Sequence, residues 1–428
     1  SLLQPIDLAL MSDPCEHLQC YLVGGAVRDT LLGLLESDRD WVVIGSSANE
    51  MRQQGFRAVG KDFPVFLHPR TGEEYALARR ERKTGPGYTG FTTDSRADVT
   101  LEEDLSRRDL TINAIAQDAD GTLIDPYGGA ADLAEGVLRH VSTAFVEDPL
   151  RVLRVARFAA RYQNRGFTIA PETLDLMKDI CHSGEIDSLV AERVWQETCR
   201  ALAEPAPAEF IRVLRACGAL ARVFPEIDAL YDIPQRADFH PEGDALTHTL
   251  MVLDAAAQIS ADTKVRFAAL VHDLGKGATP KDQWPRHIKH EHRGVHLVKA
   301  LCQRLGVPND HRDLAILVTG QHLLMHRLDE LRPETVFKLL NRLDAFRRPE
   351  RIESFVLTCE ADSRGRGNAS KGPYVPAQLL NDYFNAARQI DLSDLADSNL
   401  DGTARRNEVE RRRTEAISAV RANRTKAD

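Results

Sequence analysis

Two aspartates separated by one residue carry the most specific chemical signal in the first part of the chain. Asp38 and Asp40 come just before the apolar run WVVIG, which is typical of a strand. Residues i and i+2 of a strand point to the same face, so we predict that both carboxylates share a divalent cation. Oxygen ligands of this kind suit Mg²⁺, which keeps water and substrate phosphates in its other positions. A solvated strand end is the alternative.

A third carboxylate is available from a later strand. Glu74 lies in the segment EEYALAR, where alternation places its side chain on the face of the two aspartates and turns Glu73 away. We therefore predict that Glu74 joins Asp38 and Asp40 as a catalytic residue. A charged position on a surface hairpin explains Glu74 equally well.

A glycine pair precedes these acids. Gly24-Gly25 follow the strand-like run YLV and open the helical segment AVRDTLLGL, with Arg28 one turn in. Backbone N–H groups at such a turn can approach an anionic group, and the positive end of the helix lies behind them. A plain tight turn is the alternative for the glycine pair.

Arginines dominate one face of a later helix. The segment DPLRVLRVARFAARY has helical periodicity, and Pro149 is favourable at a helix start. Its arginines fall within an arc of about 120° at 100° per residue, and no acidic residue lies between positions 149 and 165. Such a stripe favours contact with a polyanion over an exposed face with snorkelling stems. The stripe consists of Arg151, Arg154, Arg157, Arg161 and Arg165, and Arg107-Arg108 add a basic pair.

Histidines are concentrated further along, where ten of the fourteen lie between His240 and His326. His272-Asp273 end the apolar stretch VRFAALV before Leu-Gly-Lys, and this run resembles an element of the HD superfamily. Imidazole together with carboxylate suits Mn, Ni, Co, Fe or Zn better than Mg. We predict a phosphohydrolase metal site formed by His248, His272, Asp273, His290 and His322. The near alternatives to the last two are His287, His292 and His326, and a lone buried histidine is more often a core residue.

Composition limits the class of protein. The 428 residues are 43% hydrophobic and 28% charged, as in water-soluble globular proteins, which excludes disordered, collagen-like and disulfide-scaffold classes. The formal net charge of −9 argues against a general nucleic-acid coat protein, so an RNA partner must meet a local basic patch. Seven cysteines without a CxxC pair predict reduced thiols in the cytoplasm. We expect neither a secretory signal nor a membrane span.

Periodicity predicts an α+β protein. A small mixed-sheet head is followed by an all-α remainder, with strands expected at YLVGG, DRDWVVIG, FPVFLH and EEYALARR. We predict an N-terminal extension over 1–20, the head over 21–141, a helical neck over 142–239, a histidine-rich body over 240–346 and a helical tail over 347–428. Within the tail, the Gly/Pro/Ser-rich segment 362–376 reads as a loop, and the last 25 residues are locally basic.

Five motifs together resemble one family. YLVGGAVRDTLLG, DRDWVV, EEYALAR, RRDLTINA and EDPLRVLRVARF are similar, in order and spacing, to class II CCA-adding tRNA nucleotidyltransferases of the polymerase-β-like superfamily. HDLGKG follows as in the bacterial multifunctional subgroup. The resemblance implies that Gly25 and Arg28 hold the nucleotide and that Asp38 and Asp40 hold Mg²⁺. It also implies triphosphate contacts from Arg108, Arg154 and Arg157, and base reading by Asp148 and Arg151 of the EDxxR element.

The implied activity is addition of C, C and A to the 3′ end of tRNA from CTP and ATP. The HD body would add a metal-dependent phosphohydrolase acting as phosphatase, 2′-nucleotidase and 2′,3′-cyclic phosphodiesterase, in a monomer or weak homo-oligomer. A bacterial poly(A) polymerase shares the head but does not usually carry the HD body. A nucleotide-sensing regulator of an HD hydrolase would have a degenerate transferase head. A passive RNA-binding protein would explain the arginines but not the carboxylate and His-Asp sites.

Overall fold

The computed structural model of the protein describes residues 13–34, 38–60, 65–83, 91–94, 97–367, 372–395 and 399–425. The chain forms two compact units. The first comprises Ser1–Val190 with Ala216–Ala219, and the second comprises Ala191–Arg215 with Leu220–Asp428.

The first unit is built around a mixed sheet with the strand order β3-β4-β5-β2-β1-β8-β9. Two further pairs, β6 with β7 and β10 with β11, stand apart from it. The strands are β1 (Gln19–Val23), β2 (Asp40–Ile44), β3 (Arg57–Val59), β4 (Val65–Leu67), β5 (Glu74–Leu77), β6 (Arg80–Lys83), β7 (Phe91–Asp94), β8 (Ala116–Gln117), β9 (Leu123–Ile124), β10 (Val137–Leu138) and β11 (Thr168–Ile169). The helices are α1 (Gly25–Leu31), α2 (Ala48–Gln53), α3 (Leu101–Ser106), α4 (Gly129–Glu135), α5 (Leu150–Tyr162) and α6 (Pro171–Ser183).

Strand β2 shows how the sheet divides its side chains. Val42 packs in a cluster with Val23 of β1, whereas Val43 packs with Tyr75 of β5 in a second cluster. Because alternate residues of a strand face opposite sides, these clusters mark the two faces of the sheet. Asp40 shares the face of Val42, which we call the front, and Tyr75 lies on the back.

Among its described residues, the second unit has helices joined by turns and loops, and all eleven named strands lie in the first unit. Helix α12 (Thr263–Val271) is largely buried and packs against α11 (Ala245–Ile259), α15 (Asn309–His326) and α17 (Glu350–Arg364). The helices are α7 (Ala191–Ala203), α8 (Pro207–Ala216), α9 (Ala219–Val223), α10 (Pro225–Asp228), α11 (Ala245–Ile259), α12 (Thr263–Val271), α13 (Leu274–Gly277), α14 (His290–Leu305), α15 (Asn309–His326), α16 (Pro333–Arg342), α17 (Glu350–Arg364), α18 (Val375–Arg388) and α19 (Gly402–Thr425). None of the described helices is both long and apolar enough to cross a membrane.

The predicted α+β class, with a mixed-sheet head and an all-α remainder, is confirmed. The prediction of a loop over 362–376 is wrong at both ends, because α17 continues to Arg364 and α18 begins at Val375. The side chain of Asp362 is buried and hydrogen-bonded to His248, so tertiary contacts outweigh the weak helix propensity of the sequence DSR.

Candidate active sites

The front face of the sheet carries the predicted acidic residues. β2 and β5 run parallel with Asp40 in register with Glu74, which places the two side chains on neighbouring strands of one face. Asp38 precedes β2, and it lies close enough for its charge to act on Asp40. Desolvation and the negative charges of Glu74 and Asp38 raise the pKa of the Asp40 carboxyl, which Arg108 opposes. A cation would relieve this repulsion, and a set of carboxylate oxygens suits Mg²⁺.

Glu73 faces the back of the sheet, as alternation requires. Its carboxylate accepts a hydrogen bond of 2.9 Å from the indole Nε1 of Trp41 and lies 3.8 Å from the guanidinium of Arg39. Neighbouring residues Glu73 and Glu74 therefore have separate surroundings. Only Glu74 is placed beside Asp40.

The turn before α1 brings backbone close to an arginine. Gly24 has φ 71°, a left-handed conformation, and a Cβ at this position would lie 3.3 Å from Nη1 of Arg108. Arg108 also pairs at 3.3 Å with the buried carboxylate of Asp104, which fixes its direction. Gly24 therefore gives room to a guanidinium that acts electrostatically on Asp40, and Gly25 begins the helix.

Arg28 is held inside the first unit. It is 5% exposed, and its guanidinium donates to Asp29 Oδ1 at 2.8 Å and to Asn113 Oδ1 at 2.6 Å. Asn113 donates in turn to Asp109 Oδ1 at 3.0 Å, and Arg154 donates to Asp109 Oδ2 at 2.7 Å. Two predicted nucleotide contacts, Arg28 and Arg154, thus belong to one polar network.

The arginine stripe of α5 has acidic partners from other elements. Arg161 pairs with Asp29 at 3.3 Å, as Arg154 does with Asp109, and Arg151 and Arg157 are buried. Although no acidic residue lies within α5, its arginines therefore have acidic partners on other elements. Part of the stripe fixes α5 to the head.

The EDxxR residues have structural contacts. Asp148 Oδ1 accepts a hydrogen bond of 3.1 Å from the backbone N–H of Leu150, the first residue of α5. Arg151 donates to the backbone carbonyl of Ala144 at 2.6 Å and to that of Arg107. Base reading by Asp148 and Arg151 remains a prediction.

The second unit brings all five predicted metal ligands together. His248 on α11, with His272 and Asp273 at the end of α12, form one group whose ligand atoms lie within 4.8 Å of one another. Asp273, His290 and His322 form a second such group. The carboxylate of Asp273 is common to both.

The two oxygens of Asp273 serve different histidines. Oδ2 lies 3.3 Å from Nε2 of His272 and 3.7 Å from that of His248. Oδ1 lies 3.3 Å from Nε2 of His290 and 3.8 Å from that of His322. Asp273 therefore stands between two neighbouring candidate positions for cations.

Asp362 was missed from the sequence. Its Oδ1 lies 3.1 Å from Nε2 of His248 and 3.7 Å from Nε2 of His272, so it completes the first group. The Gly/Ser-rich residues that follow Asp362 led to the prediction of a loop that included it. The available signal was the helical run RIESFVLTCEA, which could have been extended by one turn.

Backbone contacts orient three of the histidines. Nδ1 of His272, His290 and His322 lies 2.8, 3.0 and 3.1 Å from the carbonyls of Ala269, His287 and Val318. In the neutral tautomer that donates from Nδ1, each Nε2 presents its lone pair to the centre.

Buried atoms in this centre fit a transition metal. Among the described residues, Nε2 of His272, Nε2 of His290 and Oδ1 of Asp273 have no hydrogen-bond partner. Burial disfavours charge on His272, but Asp273 and Asp362 raise its pKa to about 10, so a bound cation would have to displace the proton from its Nε2. Burial lowers the pKa of His322 to about 3, which keeps that imidazole neutral. Unpaired imidazole nitrogens facing carboxylates are the donor set that a divalent transition metal requires.

Outer contacts hold the ligands in place. Glu242 Oε1 lies 2.8 Å from Nδ1 of His248, and Lys276 Nζ lies 2.6 Å from Asp273 Oδ2. His326 Nε2 lies 2.6 Å from Asp362 Oδ2. Such partners fix the orientation of ligating side chains.

The three alternative histidines lie elsewhere. His287 faces the carbonyl of Pro234 at 2.7 Å, the His292 side chain is 76% exposed, and His326 touches the outer oxygen of Asp362. The structure therefore brings His290 and His322, rather than these three, to Asp273.

A cavity of about 640 Å³ in the second unit opens onto this centre. Asp273, His290 and His322 are part of its lining. Cationic side chains also line it, including Lys276, Arg286, Lys289 and Arg366. Cations beside a metal centre suit an anionic, phosphate-bearing ligand.

Three protein families match the chain. Residues 20–139 match the poly A polymerase head domain, residues 166–231 match the family described as "Probable RNA and SrmB-binding site of polymerase A", and residues 245–348 match the HD domain. The multifunctional CCA protein of Nitrosococcus oceani is 58% identical over 94% of this chain and 98% of its own length. The protein of the same name from Vibrio cholerae is 56% identical, over 94% of this chain and 100% of its own length.

Solved structures show the same fold. The Thermotoga maritima CCA-adding enzyme complexed with tRNA gives a TM-score of 0.61 at 20% identity, covering 94% of this chain and 87% of that one. A CCA-adding enzyme with CTP gives 0.62 at 19% identity, covering 97% and 92%. At this identity the likeness concerns the fold alone.

Proposed function

This chain belongs to the multifunctional CCA protein family, and on that premise we propose that it adds C, C and A to the 3′ end of tRNA. CTP and ATP are the substrates, and pyrophosphate is released. The observation that carries the proposal is the pairing of Asp40 with Glu74 on the front face of the head, with Asp38 alongside.

The chain's own groups have distinct tasks in this reaction. Asp38 and Asp40 would hold Mg²⁺, with Glu74 beside them, and the metal, when bound, would lower the pKa of the attacking 3′-hydroxyl and neutralise phosphate charge. We assign triphosphate binding to Arg108, whose charge acts on Asp40.

Further contacts to the nucleotide come from α1 and α5. We assign Gly25, Arg28, Arg154 and Arg157 to nucleotide binding. Arg28 and Arg154 meet through Asn113 and Asp109, so the network holds the two guanidinium groups in a fixed relation. Positioned cations are an effective way to stabilise phosphoryl transfer.

Base choice follows from donors and acceptors. The carboxylate of Asp148 accepts from the exocyclic amine of cytosine or adenine, and Arg151 donates to the ring acceptors of both. Uracil and guanine present a carbonyl where the amine should be. One pair of side chains therefore selects C and A.

The test is a tRNA transcript that ends before CCA, incubated with CTP and ATP separately and together, followed by sequencing of the 3′ ends. Asp38→Ala and Asp40→Ala are each expected to abolish both CMP and AMP addition with the fold retained. Asp120→Ala, an exposed acid in the same head, is the matched control. Near-normal addition of either nucleotide by an Asp40→Ala variant would refute a single active site.

For the second unit we propose a metal-dependent phosphohydrolase with phosphatase, 2′-nucleotidase and 2′,3′-cyclic phosphodiesterase activity. Ni, Mn, Co, Fe or Zn suits its ligands, which are His248, His272, Asp273, His290 and His322 together with Asp362. The metal, when bound, supplies an activated water at neutral pH. The observation that carries this proposal is the cavity, where cationic residues surround a buried set of imidazole and carboxylate ligands.

Hydrolysis of a chromogenic phosphomonoester and of 2′,3′-cyclic AMP tests this assignment. His272→Ala and Asp273→Ala are expected to lose hydrolysis while nucleotide addition continues, and His292→Ala, at an exposed position, is the control. Parallel loss of both activities in a folded variant would show that the sites are not independent.

The competing functions make different predictions in the same assays. A poly(A) polymerase would extend RNA with ATP alone, and a regulator or passive RNA-binding protein would add no nucleotide.

We propose the domain divisions 1–20, 21–141, 142–239, 240–346 and 347–428, with tRNA contact assigned to the tail over 347–428. Because Asp362 lies against His248 and His272, α17 would serve the HD body as well.

A further inference from the structure

A tyrosine outside the HD-domain match is connected by hydrogen bonds to the candidate metal centre. Tyr374 stands directly before α18, and its hydroxyl lies 3.0 Å from Nδ1 of His326, the last residue of α15. Nε2 of the same imidazole lies 2.6 Å from Oδ2 of Asp362, in the last turn of α17. The HD-domain match ends at residue 348, so the chain that follows it supplies both Tyr374 and Asp362.

This row of side chains is shielded from water. The side chains of His326 and Asp362 are 13% and 4% exposed, and Tyr374 is half-buried. In such surroundings a hydrogen bond to a carboxylate is stronger than in water, and breaking it leaves an unpaired polar atom. The two contacts therefore restrict how the Asp362 carboxylate can turn.

The donors and acceptors give the row a direction. An ionised carboxylate only accepts hydrogen bonds, so Nε2 of His326 carries the hydrogen that it donates to Asp362. In the neutral imidazole, Nδ1 then has the lone pair and accepts the hydroxyl hydrogen of Tyr374. The tyrosine thus favours the tautomer of His326 that donates to Asp362.

The hydrogen bond from His326 leaves one oxygen of Asp362 for a metal. Oδ2 accepts from His326, whereas Oδ1 lies 3.1 Å from Nε2 of His248 and 3.7 Å from Nε2 of His272. His248 and His272 are two of the predicted metal ligands. Asp362 is therefore arranged to offer Oδ1 to the cation that these imidazoles would bind.

A second contact connects the chain beyond residue 348 with the centre. The backbone N–H of Gly367 donates to Glu242 Oε2 at 3.0 Å, and Glu242 Oε1 lies 2.8 Å from Nδ1 of His248. His248 and Asp362 thus both have outer partners that depend on residues beyond the HD-domain match.

We propose that Tyr374 is a positioning residue of the metal centre, which acts through His326 to hold Asp362 as a ligand with one oxygen. This inference rests on the metal-dependent function proposed for the second unit. Tyr374 acts at one remove, since the imidazole of His326 stands between its hydroxyl and Asp362. Partners that orient a ligating side chain contribute about 10- to 100-fold to metal affinity.

Co²⁺ binding to the full-length, metal-free protein tests the proposal, with excess Mg²⁺ present to occupy the carboxylates of the head. Tyr374→Phe removes only the hydroxyl and is expected to weaken Co²⁺ binding by about 10-fold, and His326→Leu by about 10- to 100-fold. Tyr231→Phe, at an exposed tyrosine of the same unit, is the control and should bind as the parent does. Urea denaturation without metal checks that each variant is folded.

A double-mutant cycle separates action through His326 from a merely structural role of Tyr374. In a His326→Leu background, Tyr374→Phe should cost no further Co²⁺ affinity, because the imidazole that connects the hydroxyl to Asp362 is gone. His326→Gln, whose amide can still donate to Asp362, should bind Co²⁺ more tightly than His326→Leu does. It should also keep the visible absorption of Co²⁺ in the parent, which depends on coordination geometry.

Two results would overturn the proposal alone. One is a Tyr374→Phe variant that binds Co²⁺ as tightly as the parent, and the other is a double variant in which the two losses of affinity add. A parent protein that binds no Co²⁺ would overturn the metal-dependent function as well, so the two failures can be told apart.

Discussion

Replacing Gly275 by alanine should impair the metal centre of the second unit and leave nucleotide addition intact. Gly275 lies in α13, where the backbone of α14 approaches so closely that a Cβ would be 1.9 Å from the carbonyl oxygen of His290 and 2.6 Å from the nitrogen of Gly294. Real Cβ contacts are essentially never under 3.0 Å. The two helices would therefore have to part by about 1 Å.

The magnitude follows from this displacement. Overpacking a close-packed interior costs about 1 to 3 kcal/mol, and a clash with backbone belongs at the upper end, since no side chain can rotate away. Alanine in a helix recovers about 0.5 to 1 kcal/mol relative to glycine. We expect a net loss of about 2 kcal/mol of unfolding free energy in the second unit.

Metal binding should suffer more than stability. His290 begins α14, and its Nε2 lies 3.3 Å from Asp273 Oδ1, so a shift of α14 moves this ligand away from the carboxylate. Metal sites tolerate only about 0.2 Å in ligand distance. We expect metal affinity to fall by at least about 10- to 100-fold, the effect of losing an orienting contact.

Urea denaturation and titration calorimetry with Ni²⁺ or Mn²⁺ measure these two effects. Gly320→Ala is the matched control, because its Cβ would meet Val295 Cγ2 at 3.4 Å without a clash, and it should be neutral or slightly stabilising. Nucleotide addition should survive in both variants. If Gly275→Ala bound metal and unfolded like the parent, the close approach of α13 and α14 would be wrong.

Three further variants concern the first unit. Asp109→Asn removes the charge that pairs with Arg154, and it should cost about 2 kcal/mol of unfolding free energy at pH 7, measured by denaturation. Burial alone would raise the pKa of Asp109, but Arg154 holds it well below its usual range. The stability difference between parent and variant should therefore shrink as the pH falls below about 3.9. Gly24→Ala should cost about 1 kcal/mol and weaken CTP and ATP use in steady-state kinetics, because φ 71° disfavours alanine and the new Cβ would press on Arg108. Asp148→Ala should narrow the preference for CTP and ATP over UTP in single-nucleotide addition, by about 5- to 150-fold at most, and undiminished discrimination would exclude a base-reading role.

Local pattern was enough to predict the acidic face of the head. Strand alternation alone separates Glu74 from Glu73, and the structure confirms that they face opposite sides. Asp38 could not be placed in the same way, because β2 begins only at Asp40. Strand ends depend on hydrogen bonding between strands, which the sequence does not show.

Contacts between segments that are distant in the sequence could not be predicted. The acids that pair with the α5 arginines, Asp29 and Asp109, are remote in sequence, and no periodicity connects them with that helix. Asp362 could not be predicted for a related reason. Its helix ends in residues of low helix propensity, and its contact with His248 depends on the three-dimensional fold.

The contact between His248 and Asp362 spans 114 residues, and this has a consequence for synthesis on the ribosome. At about 5 to 20 residues per second, roughly 6 to 23 seconds pass between the translation of one partner and that of the other. From the translation of His322 onward, the nascent HD helices have all their predicted histidine ligands but not yet the last carboxylate. The vectorial order of synthesis therefore makes α17 the element that closes the metal centre, and a ribosome that stalls before Asp362 would release a chain with an incomplete site.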